Sequence, residues 1–258
     1  MLERDDLTYK CLRIRCWRHE PAHPAGTVLF LPGFETQGRM YEAFLAPFAD
    51  RRILLPEFSE GSHPVTSVLD AINLTMTLYR HKGKEIDLSL YDLIGYSLGG
   101  LVAAHLAADD CADHPAPRSL IVINPAHPGQ RTMEYYERQF IAMGTRLRFG
   151  AEGESGRRFA KEHGLAFAYR VLANYGRSKA LLESINTATL QPSAVRTPTL
   201  ALVSDDDEFF PAGATASWLE RTCAQARIAR IAGSHARILH DPAEAQREVR
   251  RFHEERPC

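Results

Sequence analysis

Apolar positions along this chain change period several times, and each change marks an element. In residues 9–17, Leu12, Ile14 and Cys16 alternate with Arg13 and Arg15, the two-residue period of a strand with one wet face, so the pattern predicts an early antiparallel strand. The segment PAHPAG is rich in turn formers. After it, residues 27–31 form a continuous apolar run too short for a helix, closed by Pro32 and Gly33, which predicts a buried central strand. A short helix fits residues 41–48, and a strand fits 52–55, stopping before Pro56. Val65, Leu69, Ile72, Met76 and Tyr79 then recur at three- and four-residue spacing, predicting an amphipathic helix over 65–80 that Lys82 and Gly83 help to end. A strand at 90–94, an Ala- and Leu-rich helix at 98–108 and a strand at 120–123 follow. Strand and helix in this alternation predict an α/β fold with a mostly parallel central sheet flanked on both faces by helices.

The pattern breaks after Asn124-Pro125. Residues 130–190 carry helical spacing with several glycines and no convincing strand, which predicts an inserted helical cap. The expected organisation is a core of residues 1–125 and 196–258 with a cap or lid over 126–195. The sheet pattern returns at 199–203, followed by a helix near 212–221, a short strand at 227–231 and a last helix over 241–252. No internal repeat or low-complexity tract interrupts this order.

Composition narrows the class further. With 258 residues, 45% hydrophobic and 24% charged, the chain has the make-up of a globular protein able to build an ordinary core. Its 31 basic and 32 acidic side chains leave a formal charge of -1, which argues against nucleic acid or a strongly anionic membrane as partner. No run of about 18 apolar residues occurs, and the opening MLERDDLTYK is charged where a secretory signal is apolar; the expectation is a cytoplasmic protein without stable membrane insertion. The five cysteines, Cys11, Cys16, Cys111, Cys223 and Cys258, are scattered and read as reduced thiols. Between 131 and 190, ten Lys or Arg face six Asp or Glu, a local excess of +4.

Chemistry concentrates at Asp92-Leu-Ile-Gly95-Tyr96-Ser97-Leu98-Gly99-Gly100, a G-x-S-x-G pattern between a predicted strand and a predicted helix. Gly95 and Gly99 permit the close backbone approach that a sharp strand-to-helix turn needs, and the serine at its apex is forced outward as a nucleophile. The helix beginning at about Leu98 adds amides and a positive dipole end beside it. A serine hydroxyl needs a base. Of eleven histidines, His235 stands in a loop directly after a predicted strand, Ile-Ala-Gly233-Ser234-His235, and therefore opens at the same sheet edge as Ser97. His127 and His240 are weaker rivals, the first flanked by Pro125 and Pro128 and the second preceding Asp241-Pro242. Asp205, Asp206, Asp207 and Glu208 follow the 199–203 strand, and any one of them is placed to orient an imidazole.

With serine, acid and histidine in that order, the chain resembles the α/β-hydrolase superfamily over nearly its whole length, in particular its small esterases with a helical cap. The resemblance implies that the acid is Asp207, which precedes Pro211 by four residues as the family's acid commonly does, and that Gly233-Ser234-His235 is the histidine loop. It also aligns Leu31-Pro32-Gly33-Phe34 with the family's His-Gly segment; Pro32 departs from the usual histidine and puts the loop's shape in doubt. The oxyanion donors implied are the backbone N–H groups of Phe34 and Leu98, with Phe34 and Tyr96 touching substrate. The expected activity is cleavage of a carboxylic ester or thioester through an acyl-enzyme, with no metal or organic cofactor. Acyl transfer and C–C bond hydrolysis fit the same three residues, and a non-catalytic interaction protein is the reading from another class. The basic excess, including Arg146, Arg148, Arg157 and Arg158, suits an anionic acyl group or an acidic acyl-carrier protein.

Overall fold

A computed structural model describes residues 2–9, 12–58, 65–82, 90–108, 116–150 and 152–255. Its strands are β1 (Glu3–Arg4), β2 (Leu7–Tyr9), β3 (Leu12–Ile14), β4 (Cys16–His19), β5 (Thr27–Leu31) and β6 (Arg52–Pro56), then β7 (Tyr91–Tyr96), β8 (Ser119–Ile123), β9 (Thr199–Ser204) and β10 (Ala226–Ile231). Eight of them form one sheet in the order β1-β4-β6-β5-β7-β8-β9-β10. From β6 to β10 every pairing is parallel; β4 joins β6, and β1 joins β4, antiparallel. The strand expected over 9–17 is two pieces. Leu12–Ile14 pairs with Leu7–Tyr9 in a separate hairpin, and the chain enters the main sheet only at Cys16. The break falls at Arg15, whose carbonyl receives the Glu57 amide and whose guanidinium lies 3.6 Å from the Glu57 carboxylate. Lys10 and Cys11 of that segment lie outside the described residues, as do Gly83, Cys111 and Cys258.

The helices are α1 (Glu42–Leu45), flanked by 3-10 turns, α2 (Val68–Lys82), α3 (Leu98–Ala108), α4 (Met133–Phe149), α5 (Gly153–Ala173) and α6 (Tyr175–Ile185), then α7 (Ala212–Thr222), α8 (Arg237–His240) and α9 (Ala243–Glu254). They cover both faces of the sheet. Leu29, Leu31, Leu120, Val122 and Val203 share one buried cluster with side chains of α2, α3 and α7, while Val28, Phe30, Ile121, Ile123 and Leu202 share another with α1, α8 and α9. Alternate residues of each strand thus feed opposite cores, each large side chain contributing about 1.5–3 kcal/mol of burial free energy.

Three element boundaries moved for local reasons. The helix expected from 65 begins at Val68, because the Ser67 hydroxyl accepts the Asp70 amide at 3.1 Å and the Asp70 carboxylate holds the Thr66 amide at 2.9 Å, an N-terminal cap built from side chains. Likewise the last helix, expected over 241–252, begins at Ala243 just after Pro242, and a short α8 beside His235 precedes it that the sequence pattern did not show. Pro56, expected outside its strand, is the last residue of β6 and pairs with Cys16. Between β8 and β9 the described residues hold α4, α5 and α6 and no strand. Thr132 caps α4 by accepting the Tyr135 amide at 3.2 Å, and Gly150 ends it at φ 114°.

Candidate active site

Four of the parallel strands deliver side chains to one edge of the sheet. Ser97 follows β7 and opens α3 with φ 54°, a left-handed conformation seldom held by a residue with a Cβ. The turn is fixed through its backbone: the Ser97 amide donates to the Ile123 carbonyl at 2.9 Å, and the Ser97 carbonyl accepts from Gly100 and Ala126, both at 2.9 Å. Sequence predicted that glycine is needed here, and the distances give the reason. A Cβ at Gly99 would stand 2.1 Å from the Leu31 carbonyl oxygen, and one at Gly95 would stand 2.3 Å from that of Gly99.

His235 lies in the loop after β10 with Nε2 at 2.9 Å from Ser97 Oγ and Nδ1 at 2.7 Å from Asp207 Oδ2. An ionised carboxylate only accepts, so Asp207 fixes the tautomer with the proton on Nδ1 and leaves Nε2 as the acceptor for the serine hydroxyl. The other Asp207 oxygen accepts the amides of Phe209 and Phe210 at 2.8 and 2.9 Å, which locks the carboxylate plane. All three side chains are buried, Ser97 retaining 8% exposure. Among the acidic residues after β9, Asp207 is thus the one brought to the imidazole. Asp205 and Asp206 are exposed and pair instead with Arg230 and Arg146.

Glu208 was one of the four candidates and has a different place. Its Oε2 accepts the His235 amide at 3.1 Å, and burial pushes its carboxyl above the ordinary value. On the other side of the loop, the His235 carbonyl accepts from the Tyr96 hydroxyl and from Asn124 Nδ2, both at 3.0 Å. Asn124, wholly buried at φ 45° after β8, also takes the Ser204 amide at 2.7 Å and so ties three strand ends together. Tyr96, expected at the substrate, has its ring buried between Tyr41 and His235 and its hydroxyl committed to the histidine loop; burial holds its phenol well above the ordinary range. Sequence reasoning passed over Asn124, and it offered Glu208 only as a partner for the imidazole ring, not for the backbone of the histidine loop. An Asn at a strand end on the nucleophile's edge was the available signal for the first.

The rival histidines are elsewhere. The His127 ring lies against Phe210 and Trp218, with its Nε2 at 3.2 Å from an Arg131 nitrogen, and burial lowers its pKa to about 4. His240 is buried 3.4 Å from Glu152.

Two further groups come from α4 and from the residue that precedes α5. Arg146 reaches Asp206 at 3.0 Å, Glu208 at 3.4 Å and Glu152 at 3.9 Å, so this member of the expected basic surface is half-buried and paired with acidic side chains. Glu152 accepts the Ser234 amide at 3.1 Å; burial would raise its pKa, but His240 and the Ser234 contact hold it at about 2. Aromatic rings close the remaining side. Phe140 of α4 stacks on Phe34 at 6.0 Å and meets Phe209 at 4.9 Å and Phe167 at 5.5 Å, while Phe209 lies 5.0 Å from the His235 ring. Among the hydrogen bonds of the described residues, neither the Phe34 nor the Leu98 amide is engaged.

This sheet order, with a serine on a strained turn after the fifth strand of the main sheet and a histidine after its last, defines an α/β-hydrolase. The chain belongs to that family: the model of the alpha/beta hydrolase family matches residues 28–249. Solved structures resemble it over almost its full length. A serine hydrolase of the polyaromatic-hydrocarbon-degrading bacterium Cycloclasticus zankles superposes with a TM-score of 0.77 at 13% identity, covering 98% of each chain. A thermophilic esterase of Thermogutta terrifontis gives 0.67 at 19% identity, again covering 98% of each. Est816, an N-acyl homoserine lactone degrading enzyme, gives 0.70 at 15% identity, with 96% of this chain and 100% of the other covered. At such identities the likeness is one of fold. No curated protein sequence matches the chain. Among the described residues no helix is long and apolar enough to cross a membrane.

Proposed function

We propose that the protein hydrolyses a carboxylic ester or thioester with an uncharged, apolar acyl group, through a covalent acyl-enzyme on Ser97. The single observation that carries this reading is the hydrogen-bonded line Ser97–His235–Asp207, at 2.9 and 2.7 Å, at one edge of the sheet. Ser97 Oγ attacks the carbonyl carbon as His235 Nε2 takes its proton, and Asp207 stabilises the imidazolium that results. The tetrahedral oxyanion is held by the amides of Phe34 and Leu98, donors with no competing acceptor among the described residues. Collapse expels the alcohol or thiol, protonated by His235. Water, deprotonated by the same nitrogen, then attacks the acyl-enzyme and releases the acid.

The aromatic group formed by Phe34, Phe140, Phe167 and Phe209 supports an apolar acyl chain, since its four rings are in mutual contact and one of them, Phe209, lies against the His235 ring. Residues 126–195 act as the cap over this pocket. Tyr96 serves as support for the histidine loop, and an acidic carrier protein would meet the exposed Arg148, Arg157 and Arg158 rather than Arg146, which is half-buried and already paired with Asp206 and Glu208. The serine hydrolase, esterase and lactone-degrading neighbours share acyl chemistry, which is consistent with the reading.

The test is turnover of p-nitrophenyl esters from acetate to decanoate, with Ser97→Ala as control. The expected result is hydrolysis that rises with chain length beyond acetate and falls by about ten-thousandfold or more in the variant. Hydrolysis unchanged in Ser97→Ala would overturn the assignment.

A further inference from the structure

The turn that carries Phe34 is held from two sides. The Gly33 carbonyl accepts both the Thr36 amide at 3.4 Å and the Thr36 hydroxyl at 2.8 Å, closing a tight turn over residues 33–36. From the core, the Tyr41 hydroxyl accepts the Gly33 amide at 2.8 Å and shares a hydrogen bond with Thr36 Oγ1 at 2.6 Å. The turn lies against the nucleophile: a Cβ placed on Gly33 would stand 3.3 Å from Ser97 Cβ.

Its third residue is Glu35, at φ 51°, a position that favours glycine in a turn of this kind. A glutamate here is held in a strained conformation, and its side chain is nearly all buried, with 2% exposure. Turn geometry gives no reason for a buried carboxylate. The reason comes from the segment between β8 and β9. Arg177 of α6 donates to Glu35 Oε1, and Nε of Arg170, a buried side chain of α5, donates to the Glu35 carbonyl at 3.1 Å. Taking either charge into the interior without the other is unfavourable, so the pair holds turn and helix in one relation.

We infer that Glu35, Arg170 and Arg177 are positioning residues for the Phe34 amide, through which the cap sets the oxyanion donor. The inference rests on the proposed acyl-enzyme chemistry at Ser97. An oxyanion donor acts only when it sits within hydrogen-bond distance of the oxygen in the tetrahedral state, so a displaced turn loses transition-state binding while ground-state binding is kept.

The experiment uses the full chain and the variants Glu35→Gly, Arg177→Gln and Arg177→Lys, measuring kcat and KM on one p-nitrophenyl ester. The affinity for an alkyl boronic acid, which forms a tetrahedral adduct on the serine, and Tm are measured alongside. Glu35→Gly is chosen because glycine suits φ 51° and keeps the turn while removing the ion pair. For Glu35→Gly and Arg177→Gln the expected result is a fall in kcat of about tenfold to a hundredfold, with KM within about twofold and boronic acid affinity falling in parallel. Arg177→Lys regains part of the loss. Unchanged kcat in all three variants overturns the inference, as does a kcat loss that follows Tm while boronic acid affinity is untouched. Wild-type protein that neither turns over ester nor reacts with a fluorophosphonate overturns the parent chemistry, and the inference with it.

Discussion

At φ 54° Ser97 stores strain of about 1–3 kcal/mol, repaid by the hydrogen bonds that pin its amide and carbonyl to β8 and α3. The glycines beside it are therefore sensitive positions. Gly99→Ala sets a Cβ 2.1 Å from the Leu31 carbonyl and is expected to lower stability by about 1–3 kcal/mol and ester turnover by more than the unfolded fraction explains, as urea titration and kinetics together report. His127 offers a second residue-scale prediction. Its folded pKa, about 4, lies below the ordinary 6.5, so the unfolded chain binds the extra proton first and stability falls as pH drops from about 6.5 to 4. In His127→Phe that part of the acid sensitivity should disappear from Tm measured against pH; an unchanged profile would refute it. Of the site, Ser97 and His235 were legible because a motif and a strand-end position single them out. Asp207 needed family spacing. Glu35, Asn124, Arg170 and Arg177 were not legible, since buried polar partners far apart in sequence leave no local pattern.

The elements show the same division. Helix α3 was read to the residue, because Ser97 and the run Leu98–Ala108 mark both of its ends in composition. The first strand was read as one where the chain makes two, since Arg15 fits the alternation in either sheet and only its contact with Glu57 decides the break. The role of the junction between α4 and α5 was equally hidden: Arg146 of α4 and Glu152 just before α5, 3.9 Å apart, hold the loops that carry Asp206, Glu208 and Ser234. Glu152, with a folded pKa of about 2 against an ordinary 4.5, contributes stability that is present above about pH 4.5 and lost as pH falls toward 2. Glu152→Gln should therefore be less stable than wild type at neutral pH, with the difference in Tm shrinking between pH 5 and 3. A difference that does not vary with pH would show that the ionised carboxylate is not what stabilises the loop.

At the scale of the whole molecule, α4 meets the sheet edge through aromatic rings. Phe140 reaches from α4 to Phe34 in the turn over residues 33–36 and to Phe209, whose ring lies beside His235. Phe140→Ala should widen the acyl pocket, moving the preferred p-nitrophenyl ester to longer or bulkier chains while the acetate rate changes by no more than about threefold. The central claim, that Ser97 is an activated nucleophile, is tested most directly by reaction with a fluorophosphonate, followed by intact-mass measurement and mapping of the labelled peptide. One adduct per chain is expected, on Ser97, absent in Ser97→Ala and formed far more slowly in His235→Ala. A folded protein that takes no adduct, or one that keeps its adduct in Ser97→Ala, would contradict it.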